Sequence, residues 1–543
     1  MKRTHILLGA LLMALPMSAQ DIYKVESFAS RDLIGTARYV GMGGAMNALG
    51  ADLSTLHTNP AAAGLFRRSD VSGTLSMLIT PGAESFADIG KTRMSFDQLG
   101  FVYSAATGDS GLKFLNFAMN YQKSRNLKNF IGLSNVKLPG GLSQSWQMTN
   151  LADYYGQWQD GSNDWVSPIA HTGWNSYMVD VDANGNFVGC DADSYDYTRV
   201  QHGGVEAFDF NVSMNFDDQW YLGATLGAYN VNWNSYLLYR EALLDEFGGT
   251  HPYAMINDEK ITGSGFDLKF GFIGLSIEDS PFRFGLAIAT PTWFDLTGNN
   301  ILTMDSPFVN DPNETHTVSG VETGDFDYRV TTPWTFGVSV ATTVEDFLAL
   351  DAEYEYKDYT GASVRYPDGY DPYLGGNMYS HSRKDIAMGN EIDKYLCGVS
   401  TFRVGAEVKV ADGAYLRAGY NYVSKPFKDD AMMNLYNGFD NNGLGDSDGV
   451  INTTGTDYVN LGATNRLTLG VGLRGKHWYG DLGYQYQTQS ADVYAFHNFD
   501  GTATRTNLLP KQSLDLERHS LTLTVGYKFS VEHIGKTSGA FGF

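Results

Sequence analysis

The chain has 543 residues, a formal charge of −23, 61 glycines, 15 prolines and 13% aromatic residues. So negative a chain excludes nucleic acid as a partner, because phosphate binding needs a basic face. Two cysteines, Cys190 and Cys397, are too few for a disulfide scaffold and fit no zinc spacing. The length allows several soluble domains or one large barrel, and the glycine and aromatic content favours pleated, tightly turned structure.

Residues 1–19 read as a signal peptide. Lys2 and Arg3 form a basic start, Ile6 to Leu15 an apolar stretch too short to span a bilayer, and Met17-Ser18-Ala19 a cleavage site before Gln20. Beyond Gln20 no apolar run reaches the roughly 18 residues of a membrane helix. Export follows, to the exterior, the periplasm or an outer membrane.

Residues 20–69 do not alternate. They are rich in small residues, including Gly35, Gly41, Gly43, Gly44, Ala45, Ala48 and Gly50, then Asn59-Pro60-Ala61-Ala62-Ala63-Gly64. Asn before Pro favours a turn. A compact segment of this kind suits the inside of a wide barrel, as a hatch plugging the lumen.

From Asp70 to Phe529 the chain alternates. Leu521, Leu523, Val525, Tyr527 and Phe529 interleave with Thr522, Thr524, Gly526 and Lys528, and the same holds around Leu467 to Arg474 and Phe402 to Val410. Period two gives one apolar and one polar face. Fourteen segments qualify: 70–78, 97–106, 113–122, 205–216, 219–231, 264–277, 282–289, 327–340, 347–357, 401–410, 414–423, 465–474, 478–488 and 519–529. Connections after even-numbered segments are short, and those after odd-numbered segments are long, notably 123–204 and 358–400. Transmembrane barrels sort their loops this way, with tight periplasmic turns and long outer loops. The expected fold is therefore all-β: a transmembrane antiparallel barrel of about fourteen strands with periplasmic termini, spanning 70–529 and followed by a tail over 530–543. Aromatics near strand ends (Trp220 and Tyr221, Tyr354 and Tyr356, Trp478 and Tyr479, Tyr484 and Tyr486) suit interfacial girdles.

The run Gly35 to Ala45 (GTARYVGMGGA), then Ala48 to Asp52 and Asn59-Pro60-Ala61, resembles the N-terminal hatch of the FadL-type outer-membrane transporters of long-chain fatty acids and hydrophobic compounds. Thr290 to Leu296, Thr332-Pro333-Trp334 and Asp351 to Tyr359 (DAEYEYKDY) extend the resemblance into the barrel. The resemblance implies passive transport of a hydrophobic small molecule through a hatch-gated pocket and a lateral exit. Asn59, Pro60 and Ala61, with Gly41, Gly43 and Gly44, would form the gating hatch. The third strand would carry the kink, with Asn116 and Asn120 facing inward. Outer-membrane lipid, the barrel-assembly machinery and the cargo are the expected partners, without a cofactor, and a monomer is expected. The final aromatic of Tyr527-Lys528-Phe529 resembles the signal read by that machinery.

Other motifs carry less. Asp180, Asp182, Asn184 and Asp191 have calcium-loop spacing, but an Asn-Gly turn is the favoured reading. Cys190 and Cys397 both fall in expected outer loops, where pairing is open. Gly470 to Lys476 approaches a phosphate loop but lies in a strand. No Ser-His-acid arrangement marks an enzyme. A haem-binding receptor, which would need an axial His or Tyr, and a surface adhesin with long acidic loops are the alternative readings.

Overall fold

The computed structural model describes residues 21–81, 91–108, 111–155, 168–245, 249–275, 281–306, 316–322, 325–345, 347–367, 370–371, 376–377, 382–433, 454–498 and 507–530. The expected signal peptide and the tail beyond Ser530 lie outside these residues. Fourteen antiparallel strands close into a barrel. They are β1 (Ser69–Ile79), β2 (Thr92–Ala106), β3 (Leu112–Asn126), β4 (Ala192–Phe216), β5 (Trp220–Leu244), β6 (Thr250–Leu275) and β7 (Phe282–Ala289, resuming as Trp293–Ser306). There follow β8 (Phe326–Thr331, resuming as Thr335–Val344), β9 (Leu348–Asp358), β10 (Gly398–Ala411), β11 (Ala414–Val423), β12 (Tyr458–Arg474), β13 (Trp478–Tyr494) and β14 (Gln512–Phe529). Each pairs with its neighbour in sequence. The ring closes where Ser69 to Ile79 of β1 face Phe529 to His519 of β14.

Alternation sorts the side chains as expected. On β4, Phe210 and Val212 point out while Asp209, Asn211 and Ser213 are buried inside. On β14, Leu521, Leu523 and Val525 point out, and Thr522 and Thr524 point in. The girdle reading needs correcting for two pairs, because period two cannot send adjacent residues the same way. Trp220 and Trp478 are outside, but Tyr221 is buried and donates to Asp218 O, and Tyr479 donates to Asp70 inside the barrel.

The long connections hold more strand than expected. β4, β5 and β6 run to 25 or 26 residues, so 192–204 and most of 232–263 are wall. The segment 290–326, read as loop, instead continues β7 and opens β8. The run 327–340, read as one strand, breaks at Thr332-Pro333-Trp334. Proline has no N–H for a ladder. Pro291 and Pro333 interrupt neighbouring strands at the same height, between the pairs Ala289↔Thr335 and Trp293↔Thr331. Threonine hydroxyls fill in. Thr292 N–H donates to Thr332 Oγ1 at 2.8 Å, and Leu268 N–H of β6 donates to Thr290 Oγ1 at 3.0 Å.

The long-loop end of the lumen is capped. Helices α3 (Gln144–Tyr155) and α4 (Pro168–Asn175) pack Met148, Leu151 and Ile169 onto Tyr195, Tyr239 and Phe496. These helices were not anticipated in 123–204. The helical repeat there is short and weakly amphipathic, and the apolar partners come from distant strands.

Candidate functional site

Residues 21–66 fold inside the barrel. Asp21 caps helix α1 (Ile22–Ala29), and Thr36 caps α2 (Ala37–Gly41), each accepting a backbone N–H of the first turn. Asp52 and Asn59 cap two short 3₁₀ turns, Leu53–His57 and Pro60–Leu65. Apolar side chains of α1 lie against Trp233, Tyr229 and Phe294 of the wall.

The rest of the segment meets the wall through small apolar clusters, such as Leu53, Leu56 and Phe66 against Val102 and Ala118, and through a set of polar contacts. Glu353 Oε1 accepts from the N–H groups of Met46 and Asn47, both at 2.6 Å, and its Oε2 from Asn47 Nδ2 at 3.0 Å. Two residues earlier on β9, Asp351 Oδ2 accepts from Ala48 and Leu49 N–H at 3.1 and 2.8 Å. Arg38 of α2 forks onto Glu407 of β10 at 3.0 and 2.9 Å, and Ala37 N–H donates to Thr524 Oγ1 of β14. Donors to carboxylates are the stronger kind of hydrogen bond.

The six residues expected to form a hatch lie at this seam. Asn59 is fully buried; its Oδ1 accepts from Ala61 N–H and its Nδ2 donates to Asn47 O, both at 3.1 Å. The turn of Asn59, Pro60 and Ala61 seats on glycines of the wall. A Cβ on Gly271 would stand 2.1 Å from Asn59 Oδ1, and one on Gly223 2.3 Å from the Pro60 carbonyl carbon. A Cβ on Gly41 would stand 3.1 Å from Gly470 Cα of β12 and one on Gly43 2.9 Å from Tyr420 N of β11, while one on Gly44 would meet Leu33 of the segment itself at 2.8 Å. Gly43 and Gly44 adopt φ of +67° and +81°, where a side chain is strained. Thr468 Oγ1 donates to Gly41 O, and Asn421 Nδ2 to Gly43 O.

Of the two third-strand residues, Asn116 reaches the segment, its Nδ2 donating to Ala63 O at 2.7 Å and Phe66 O at 3.0 Å. Asn120 also faces inward but bonds within the wall, to Gln98 and Gln122. The third strand has no single kink. Its register against β4 shifts at two places, and its pairing with β2 stops at Gln98↔Gln122, beside an extra residue, Asp97, in β2.

Several residues of the seam were not singled out from sequence: Asp351, Glu353, Arg403, Glu407, Asp209 and Lys269. The signal was present in DAEYEYKDY, where Asp351, Glu353, Glu355 and Lys357 recur at period two on the polar face. His57 Nδ1 lies 3.1 Å from Asp209 Oδ2, and Lys269 Nζ bonds Asp209 and Asp267 behind it. Burial holds the His57 imidazole below its ordinary value, against the opposing pull of Asp209; Arg31 and Lys269 add to the depression.

The calcium-loop residues do not converge. Asp182 accepts from Asn184 and Asn186 N–H in a tight hairpin turn, while Asp191 accepts from Trp146 Nε1. Cys190 and Cys397 are both free thiols.

Two cavities flank the segment. The larger, about 1380 Å³ including its open part, lies between α1 and the outer wall. The smaller, about 700 Å³, lies between residues 30–34 and strands β9 to β12.

A closed barrel wearing Leu, Phe and Val outside and polar groups inside is a transmembrane β-barrel, here with its N-terminal segment docked in the lumen. No family model matches the chain, and no curated protein matches it in sequence. Among solved structures, a FadL homologue of Pseudomonas aeruginosa aligns over 92% of this chain and 99% of its own, at 12% identity and a TM-score of 0.50, so the likeness is one of fold. TodX, a toluene transporter of P. putida, aligns at 14% identity over 92% of this chain and all of its own, with a TM-score of 0.49. CymD, a monoaromatic hydrocarbon channel, aligns at 11% over 93% of this chain and all of its own, also at 0.49.

Proposed function

We propose that this protein is an outer-membrane conduit, rather than an enzyme, that passively admits hydrophobic small molecules of fatty-acid-like or aromatic type. Residues 20–69 serve as its hatch, 70–529 as its barrel, and 1–19 as a leader removed on export. Both termini, including the tail 530–543, face the periplasm. The observation that carries the reading is the docked segment: it fills the lumen and is held by backbone donors, ion pairs and small apolar clusters, with no strand pairing to the wall. The ordered hatch-like motifs and the shared fold support it. A hydrophobic solute gains about 0.8 kcal/mol per methylene by avoiding water, so a hatch and pocket suit it better than an open pore. Asn59, Pro60 and Ala61 form the gating turn, and the cargo leaves sideways into the membrane near the third strand.

The test is Asn59→Ala. Its amide bonds hold the turn to Asn47 and to its own backbone. The variant is expected to slow uptake of labelled fatty acid by cells while heat-modifiable gel migration stays that of an assembled barrel. Uptake at the wild-type rate would remove Asn59 from the gate.

A further inference from the structure

The cap over the long-loop end of the lumen is seated on a buried acid. Glu241 stands near the end of β5, 3% exposed. The strand has left the membrane by then: its outward face is polar and exposed at Asn230, Asn232 and Arg240. Glu241 faces the other way, beneath α3. Its Oε1 accepts the Gln144 N–H, in the first turn of α3, at 2.7 Å, and also the Tyr239 hydroxyl. Its Oε2 has no hydrogen-bond partner among the described residues. The Gln144 side chain fastens the same turn to its surroundings. Its Oε1 accepts from the Tyr253 hydroxyl at 3.2 Å, and its Nε2 donates to Thr456 Oγ1 at 2.9 Å. Met148 and Leu151 of α3 then follow into the apolar core of the cap.

An ionised carboxylate in such a place needs a cation or several donors. Among the described residues no cation stands within ion-pair distance of Glu241. Its cross-strand neighbours are Tyr195 of β4 and Tyr253 of β6, with Tyr239 two residues before it on β5. The Cys190 carbonyl accepts the hydroxyl of Ser143, so the Cys190 thiol and Asp191 border the start of α3. The one arginine of β4, Arg199, is held by Asp457 at 2.9 Å, and His251 of β6 lies 3.0 Å from Asp245. His497, buried just past β13, completes the titratable groups on the elements packed here. Only the two histidines among them can gain a positive charge.

We propose that Glu241 is a proton-operated latch on the outer cap: with its proton it seats the first turn of α3, and without it the cap loosens. Neutral, the carboxyl is an ordinary buried polar group, and Oε1 still accepts both donors. Ionised, it is a buried anion with one oxygen unanswered, and water reaches that oxygen only if α3 lifts. Burial pushes the carboxyl up to about 7, against the smaller opposing pull of the Tyr239 hydroxyl and the Gln144 N–H. Exposed to water in an open cap, it titrates near its ordinary value of 4.5. The preference for closure is therefore complete below the open value and is lost as the pH rises through the closed one. The outer mouth tightens in acid and loosens in neutral medium, whatever the barrel carries.

The test is hydrogen exchange of the full chain in maltoside micelles, read in 144–155 and divided by the intrinsic exchange rate at each pH. The readout is local to the cap, so it is separate from any movement of the inner segment. Protection should fall about 10-fold or more between about pH 5.5 and about pH 7.5. Glu241→Gln keeps an acceptor for both donors and carries no charge at either pH, so its protection should stay level. Tyr239→Phe removes a donor that favours the ionised form, so the midpoint of the fall should move to higher pH. Heat-modifiable migration follows the assembly of both variants. Wild-type protection that stays level, or rises with pH, overturns the latch. A fall that persists in Glu241→Gln also overturns it and passes the effect to His251 or His497. A midpoint unmoved by Tyr239→Phe overturns it without recourse to the first variant.

Discussion

The two ends of the lumen are closed by different chemistry. At one end residues 35–66 are held by glycine seats, small apolar clusters and backbone N–H groups aimed at Asp351 and Glu353, while α1 reaches past them to the aromatic wall of Trp233 and Phe294. At the other, α3 and α4 are held by an apolar core in which Tyr239 meets Phe496 edge-on, ring centres 5.9 Å apart. A hydrogen bond to the wall can be exchanged for one to water at small net cost. An aromatic core cannot be opened without exposing its area to water. The difference predicts that the seam at Met46 to Leu49 opens more readily than the cap.

The comparison breaks most visibly if the inner segment is removed. A fourteen-stranded barrel is wider than the roughly eight-stranded case that side chains fill alone. Deleting 21–66 should therefore leave an assembled barrel with raised ion conductance in planar bilayers. Unchanged conductance would mean that the cap alone seals the lumen. Next in size, Phe496→Ala should destabilise the cap by about 3–5 kcal/mol. Hydrogen exchange should show this as lost protection in 144–155, with protection at Met46 to Leu49 retained; loss at both would show that the two closures act as one. Glu353→Gln keeps the shape but removes the charge that four donors share, Arg403 among them, at a cost of about 1.5–3 kcal/mol. Exchange of the Met46 and Asn47 amides should then quicken while the cap is unaffected.

The smallest effect concerns pH. Docked, the His57 imidazole resists protonation. Undocked, it takes a proton as the pH falls through about 6.5. Its contribution to docking is thus fully present above that pH and is lost progressively below it, as the pH falls toward the lowered docked value. Channel opening should increase modestly on acidification from about pH 7.5 to about pH 5, and His57→Gln should flatten that slope. A slope the same in both proteins would take His57 out of the docking equilibrium.

Much of the barrel was legible because period two is a strong code. Residues such as Val212 and Leu523 have one face to choose, and the wall obeys it. The small-residue run 35–64 was legible as a compact segment suited to the inside of the barrel, and Asn59 as a turn, because few residue types tolerate such close approach. What grips the plug was not. Glu353 and Asp351 look like ordinary polar-face residues until the chain from 46 to 49 is folded against them, more than 300 residues away in sequence. The cap escaped for the same reason, since Phe496 and Leu151 are neighbours only in space. The third strand differs from its expected kink because the irregularity is shared between β3 and the extra residue Asp97 of β2.

The paired breaks at Pro291 and Pro333 have a mechanical meaning. A closed sheet carries lateral load as a hoop, and the stiffness of a hoop is set by its most compliant link. Around most of the circumference each link is a backbone hydrogen bond between fixed peptide planes. On this row, two successive links each pair one backbone bond, Thr290 N–H to Leu268 O and Thr332 N–H to Thr292 O, with one bond through a rotatable hydroxyl, that of Thr290 or of Thr332. Half of each link's bonding can therefore turn with a side chain, and lateral tension on the ring meets a more compliant joint here than where both bonds join peptide planes.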